Sequence, residues 1–360
     1  MKVLILLSEA YFRYKKGFKE ACLTNGCADV KFFKIGIYSH EIFGLQKAAY
    51  KVGIKNYEAK YYDNLVKRME ITIETFKPDL VLTIVDFADV TEYLQKKLIG
   101  FFEKNKVYVW LLDSIKTMHI EKELLHHFDK LYVFEYNDLA YIENNYFNLK
   151  NVEFLPFGCD SQIFCQNKVS ADDYRPIDIS FVGVASAKRI KVLNKIAEYC
   201  QKENKKMEIY GHFWHNAHWY QKILGALKFK NKYPALFPYI HNMFITPEFA
   251  ENLYRKSKIC INIHQEVHLG PNPRTFEILG NGNFELCDNQ DFTGIDLVNE
   301  RDLIIYDSKN LNELIELIKY YLAVPEKRYE IGMSGMKITR KMYTFNSNIK
   351  QIFNDFLKCE

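Results

Sequence analysis

Short apolar runs rich in Val, Ile and Leu recur along this 360-residue chain. Between them lie longer stretches whose apolar residues return every three or four positions. Runs of this length without an alternating polar face suit strands buried on both sides, and the intervening stretches suit covering helices. In the first half the strands are Lys2 to Leu7, Val30 to Ile35, Leu80 to Asp86, Val107 to Asp113, Leu131 to Phe134 and Val152 to Phe157, with helices near Glu58 to Phe76, Glu92 to Glu103 and Asp138 to Tyr146. This order predicts βαβ units and a parallel sheet, an α/β fold.

A second series begins at Ile177 to Gly183 and continues through a helix over Arg189 to Gln201, Met207 to Tyr210, a polar and aromatic insertion reaching Ile245, a helix from Pro247 to Lys256, Ile259 to Ile263, Phe284 to Cys287, Leu303 to Tyr306 and a helix from Leu311 to Leu322. One core rarely grows to this length. The expected organisation is a Rossmann-like domain over 1–157, a linker over 158–176, a second Rossmann-like domain over 177–325 and a helical tail over 326–360 packing back toward the first. Ligands of open α/β sheets bind at the carboxyl ends of the strands, so two such domains are expected to face a central cleft.

Asn262 to Asp288, reading NIHQEVHLGPNPRTFEILGNGNFELCD, is the stretch richest in chemistry. Asn272 is a favourable N-cap, Pro273 fits the first helical position, and Gly280 and Gly282 mark the stop. The start of such a helix presents backbone N–H groups and a positive dipole end, and it carries Arg274 and Thr275. Glu277 lies one turn on, within reach of ribose hydroxyls if phosphates rest on the helix start. A nucleotide diphosphate fits this pattern, and an ordinary punctuated helix with a solvated Arg is the alternative.

Gly183 ends a strand immediately before a helix opening with Lys188 and Arg189, which suits close approach of a phosphate. His264 ends its strand in the same domain. In the first domain the loop Ser8 to Gly17 offers Tyr11, Arg13 and Gly17 to an acceptor, with Lys15 and Lys16 adding charge. Asp113 closes a strand, as does Asp86, and His119 lies beyond; a carboxylate or imidazole at a strand end is a candidate acid or base, and a capping role is the alternative.

Several classes are disfavoured. Net charge is +4 with no long basic block, against general nucleic-acid binding, although a modest basic surface suits anionic substrates or a membrane face. The 8 cysteines include no CxxC and several sit in apolar runs, as small buried hydrophobes do. Val3 to Leu7 is too short for a signal segment and no run reaches a membrane span, so a cytoplasmic protein, active at most at the inner face of a membrane, is expected. His212, His215 and His218 drift around a helix surface without a completing Cys or carboxylate, and no D-x-D motif occurs; no metal site and no cofactor are expected.

The segments DISFVG (178–183), YGHFW (210–214), ICINIH (259–264), PRTFEILGNGNFELCD (273–288), YLAVPEKRYEIG (321–332) and NVEFLPFGCD (151–160) resemble the CgeB-like (spore maturation protein) glycosyltransferases. The resemblance covers most of the chain. It implies the GT-B fold, a nucleotide diphosphate sugar held mainly by the C-terminal domain, and a glycan, lipid-linked saccharide or protein acceptor on the N-terminal side. It further implies that Glu277 takes the ribose hydroxyls, Arg189 and Lys188 the diphosphate, and the backbone around Arg274 and Thr275 the phosphates or sugar. Related retaining enzymes carry Glu-x7-Glu; here the first position is Leu269, and Glu266 is out of register. A metal-independent, retaining hexosyl transfer is the expectation, with Asp113, His119 and Arg189 as candidate catalytic groups. A nucleotide-sugar epimerase or hydrolase and a non-catalytic two-domain binding protein are the competing readings. Oligomeric state is not legible.

Overall fold

The structure is a computed structural model, describing residues 1–36, 44–54, 56–87, 90–146, 149–166, 175–215 and 222–358. The strands are β1 (Lys2–Ser8), β2 (Asp29–Ile35), β3 (Leu80–Val85), β4 (Val107–Leu111), β5 (Lys130–Val133), β6 (Val152–Phe154), β7 (Ile177–Val182), β8 (Met207–Gly211), β9 (Ile240–Asn242), β10 (Ser257–Asn262), β11 (Glu285–Asp288) and β12 (Ile304–Tyr306). The α-helices are α1 (Lys15–Thr24), α2 (Leu45–Lys51), α3 (Asn56–Phe76), α4 (Glu92–Phe102), α5 (Lys122–Leu125), α6 (Asn137–Asn145), α7 (Ser161–Phe164), α8 (Ala187–Lys202), α9 (Lys222–Lys232), α10 (Pro247–Arg255), α11 (Pro273–Gly280), α12 (Leu311–Ala323), α13 (Pro325–Met342) and α14 (Phe345–Lys358). The chain divides into two compact units, Met1–Phe157 with Phe345–Glu360, and Gly158–Thr344.

The first unit is built on a six-stranded sheet of order β2-β1-β3-β4-β5-β6, parallel throughout. Successive residues of a strand point to opposite faces, so each strand feeds two cores. Leu4, Leu6, Val81, Val109 and Leu111 pack on one face; Val3, Ile5, Leu7, Leu80, Leu82 and Trp110 pack on the other. The indole of Trp110, fully buried, donates to the Leu155 carbonyl at 3.0 Å, as a buried N–H must. The second face is closed by α14, which presents Phe345, Ile349, Ile352, Phe353 and Phe356 at helical spacing. Each such side chain contributes about 1.5–3 kcal/mol on full burial, enough to hold a distant segment in place. Asn348 adds hydrogen bonds to the Pro156 and Phe157 carbonyls at 2.7 and 2.9 Å.

The second unit repeats the plan with β12-β11-β10-β7-β8-β9, again parallel. Its strand order reverses between β7 and β10, whose Ile179 and Ile259 are register partners. This switch is where open α/β sheets leave a crevice for ligands. The helix α13 packs on α11, and Arg340 donates to the Gly280 carbonyl at 2.8 Å, satisfying a helix-end acceptor. The tail read as one segment from 326 is therefore shared: α13 lies in the second unit and α14 in the first. The read linker 158–176 contains the short helix α7, and its residues 167–174 lie outside the described ones.

Candidate functional site

At the carboxyl edge of β7 and β10 the second unit gathers Gly183, Lys188, Arg189, His264, Arg274, Thr275 and Glu277. Two short segments place them. Ser186 caps α8 by accepting from the Arg189 amide at 3.3 Å, and Asn272 caps α11 by accepting from the Arg274 amide at 2.9 Å. Pro273 occupies the first helical position, where its missing N–H costs nothing.

Arg189 is buried. Its Nε donates to the Ile263 carbonyl at 2.8 Å, a terminal nitrogen donates to Val184 at 2.9 Å, and the guanidinium lies over the Phe181 ring at 5.6 Å. Burial and the neighbouring charge of Arg274 lower its pKa to about 10, against the opposing pull of Asp288. The repulsion between the two guanidiniums is one that a bound anion would relieve. Arg274, partly exposed, is steadied by Glu277, whose carboxylate lies 2.7 Å from it and is itself almost wholly buried. Glycine at 211 is required by the fold itself, and at 183 a side chain would have to displace the buried Phe181 ring. A Cβ on Gly183 would sit 2.8 Å from the Phe181 ring, and one on Gly211, whose φ is +149°, 1.9 Å from the Gly183 carbonyl oxygen.

Beneath the two helix starts runs a network that joins β10, α11 and β11. The amide of Asn272 donates to Nε2 of His264 at 3.0 Å, so the imidazole is the Nδ1–H tautomer, with Nδ1 2.6 Å from Asp288. Burial, then the cations of Lys188 and Arg189, lower the His264 pKa despite Asp288. Burial alone would raise the Asp288 carboxyl, but His264 and Lys188, the latter at 2.5 Å, hold it below its ordinary range. Asn262 donates to Glu285 at 2.7 Å and to Thr275 at 3.0 Å, and Thr275 donates to the same Glu285 oxygen at 2.9 Å. Burial raises Glu285 to about 7, more than these bonds lower it.

These contacts redistribute the roles expected of individual residues. Thr275 points into the sheet, Lys188 is engaged by Asp288, and the Arg274 and Asn272 amides are used by Asn272 Oδ1 and His264. The cationic surface at the helix start is therefore the Arg274 side chain rather than a row of open amides. A cavity of about 440 Å³ adjoins the start of α8, lined by Ala187, Lys188, Lys191, Val192, Glu266 and Ser308. A larger one of about 730 Å³, between α12 and α13, contains none of the expected residues.

Asn262, Glu285 and Asp288 join the site without having been expected there. Their signal was a polar side chain inside a continuous apolar strand, where a partner is obligatory. His212, set aside above as a metal ligand, and Phe244, within the aromatic insertion, come together in the structure. At the ends of β8 and β9 their rings lie 3.7 Å apart, centroid to centroid. His215 packs against Phe229 and Phe237, and burial lowers its pKa; His218 lies outside the described residues. Among the described residues one group, His264, Cys287 and Asp288, has the mutual distances of metal ligands. Its donors are poorly suited to an ion: both ring nitrogens and the carboxylate are hydrogen-bonded or ion-paired, and burial pushes the Cys287 thiol far up, away from the thiolate.

The remaining expected residues lie in the first unit. Tyr11, in a 3₁₀ turn, donates to the Leu112 carbonyl at 3.3 Å. Burial and the carboxylates of Asp86 and Asp113 push its hydroxyl up, so these three groups share one neighbourhood. Asp113 accepts from the Ser114 amide at 2.7 Å and from Thr117 at 3.3 Å, a capping geometry. His119 is largely exposed and lies 3.4 Å from Glu121. The Arg13 guanidinium covers the Tyr14 ring at 4.9 Å, and Gly17 is buried in α1.

Two parallel six-stranded sheets covered by helices, each following this plan, are the GT-B glycosyltransferase fold. Among solved structures the chain is similar to sucrose-phosphate synthase from Thermosynechococcus elongatus, at TM-score 0.66 and 11% identity over 100% of both chains. It is similar to an alpha-glucosyltransferase in complex with UDP and a 13-mer DNA containing an HMU base, at TM-score 0.66 and 11% identity over 99% of each chain. It is also similar to HepE of Anabaena in complex with UDP and glucose, at TM-score 0.62 and 11% identity over 99% of this chain and 100% of that one. Residues 189–354 match the glycosyl transferase-like family, the span holding Arg189, the capped helix α11 and the network beneath it. No curated protein matches the sequence. Among the described residues no helix is long and apolar enough to cross a membrane.

Proposed function

We propose that this protein is a glycosyltransferase, CgeB-like in kind, that takes a sugar from a nucleotide diphosphate sugar held by its second unit. The transfer is metal-independent and retaining, and the acceptor, a glycan, lipid-linked saccharide or protein, is bound through the first unit at Tyr11 and Arg13; Gly17, buried in α1, is not part of that surface. The observation that carries this reading is the placement of Arg189 and Arg274 at the capped starts of α8 and α11, beside the switch point of the second sheet, with Glu277 one turn along α11. The diphosphate rests against Arg274, with Arg189 behind it. Glu277 accepts from the ribose hydroxyls, and the edge-to-face pair of His212 and Phe244 offers an aromatic contact to the base. UDP in the two similar structures named above supports the choice of nucleotide.

Chemically, departure of the nucleotide places negative charge on the β-phosphate. A preorganised guanidinium pair in a partly water-excluded site stabilises that charge without a divalent ion. The test is nucleotide release from UDP-, GDP- and dTDP-sugars in EDTA, with and without a mixture of saccharide and lipid-linked acceptors. Release that depends on acceptor is expected. Conversion of donor without acceptor would replace the reading by an epimerase or hydrolase, and bound donor that never turns over would make the protein a binding module.

A further inference from the structure

Helix α9 (Lys222–Lys232), between β8 and β9 of the second unit, carries an outer face unlike that of an ordinary surface helix. Its inner side is aromatic: the Phe229 ring lies 5.0 Å from Tyr233 and 6.4 Å from His215. On the outer side Ile223, Leu224 and Leu227 are 76%, 66% and 52% exposed. At about 100° per residue these three fall within one arc of about 100°. Lys230 borders that arc on one side, Lys228 and Lys232 on the other, and all three are exposed. The helix contains no acidic residue, and none occurs from Ile209 to Pro247 in a chain with 45 Asp and Glu.

A solvated helix face is normally polar, and a contiguous aliphatic stripe marks a surface meant to be covered. The lysines decide what covers it. Their long apolar stems can lie along the stripe while the ammonium groups reach outward on both flanks, which fits a planar partner that is apolar beneath and anionic at its rim. We propose that α9 lies in the interfacial plane of an anionic lipid bilayer. Ile223, Leu224 and Leu227 enter the acyl boundary, and Lys228, Lys230 and Lys232 meet lipid phosphates. The helix rests on the surface and does not span it. This inference stands independently of the nucleotide-sugar reading.

The test is co-sedimentation of the full chain with phosphatidylcholine vesicles and with vesicles containing about one third phosphatidylglycerol, at low and high salt. The wild type should partition onto the anionic vesicles, at least tenfold less onto neutral ones, and less at high salt. The triple variants Ile223→Ser/Leu224→Ser/Leu227→Ser and Lys228→Glu/Lys230→Glu/Lys232→Glu should each lose at least tenfold in partitioning. As an independent readout, Leu224→Trp should show a blue-shifted emission on anionic vesicles. Failure of the wild type to bind anionic vesicles, equal binding to neutral ones, triple variants that partition like the wild type, or an unshifted Trp emission would each overturn the proposal.

Discussion

His264 and Asp288 meet with Nδ1 and Oδ1 2.6 Å apart, both without solvent exposure, and Lys188 closes the other carboxylate oxygen at 2.5 Å. Both members are shifted down, and the signs agree. A depressed carboxyl contributes stability that is present above its unfolded value and lost as pH falls through its folded value. A depressed imidazole likewise favours the fold while neutral, and that advantage fades as pH drops below the ordinary imidazole value of 6.5. Thermal denaturation should therefore show this network weakening from just above pH 6 downward. Asp288→Ala, which strands the Lys188 charge against a buried imidazole, should cost about 3–5 kcal/mol at pH 7. A loss below 1 kcal/mol would show that the network is not a brace.

Glu285 behaves oppositely. Its folded pKa of about 7 exceeds the ordinary 4.5, so the stability it contributes is fully present below about 4.5 and lost as pH rises through about 7. Glu285→Gln keeps an acceptor for Asn262 and Thr275 while removing the buried charge. The variant should gain about 1–3 kcal/mol relative to wild type at pH 8 and little or nothing at pH 5. Equal effects at both values would contradict a titrating Glu285. The measurement is paired denaturant unfolding at the two pH values.

Much of this architecture was legible in the sequence. Continuous Val, Ile and Leu runs gave the parallel strands, because burial on both faces removes the polar alternation. Asn272, Pro273 and Gly280 bounded α11 through local cap chemistry, and the Asn272 cap bond is present at 2.9 Å. Other features depend on neighbours that the sequence does not name. That Thr275 turns inward depends on Glu285, ten residues away in sequence and on strand β11. That His264 is the Nδ1–H tautomer depends on the Asn272 amide and on Asp288. Strand β9 and helix α9 were lost in the insertion because three residues give no period and a helix with exposed Ile and Leu does not show a single apolar face.

The Asn272 side chain joins the cap to the sheet, accepting from the Arg274 amide and donating to Asn262 Oδ1 at 3.0 Å. Asn272→Ala should cost about 1–2 kcal/mol for the cap. Asn272→Asp, which retains the acceptor for the amide but not the donor for Asn262, should cost less than Asn272→Ala. Chemical denaturation of the two variants checks the order.

On the proposed reading Arg274 and Glu277, on a helix fixed by its cap, form a metal-independent seat for a nucleotide diphosphate. Isothermal calorimetry of UDP, GDP and dTDP in EDTA tests it most directly, on wild type, Arg274→Ala and Glu277→Ala, with the melting temperature of each free protein as the folding control. One diphosphate should bind the wild type without metal, and each variant should bind it at least tenfold more weakly, about 1.4 kcal/mol. Absence of binding for all three at millimolar ligand, binding that appears only on adding a divalent ion, or variants that bind as the wild type does would contradict it.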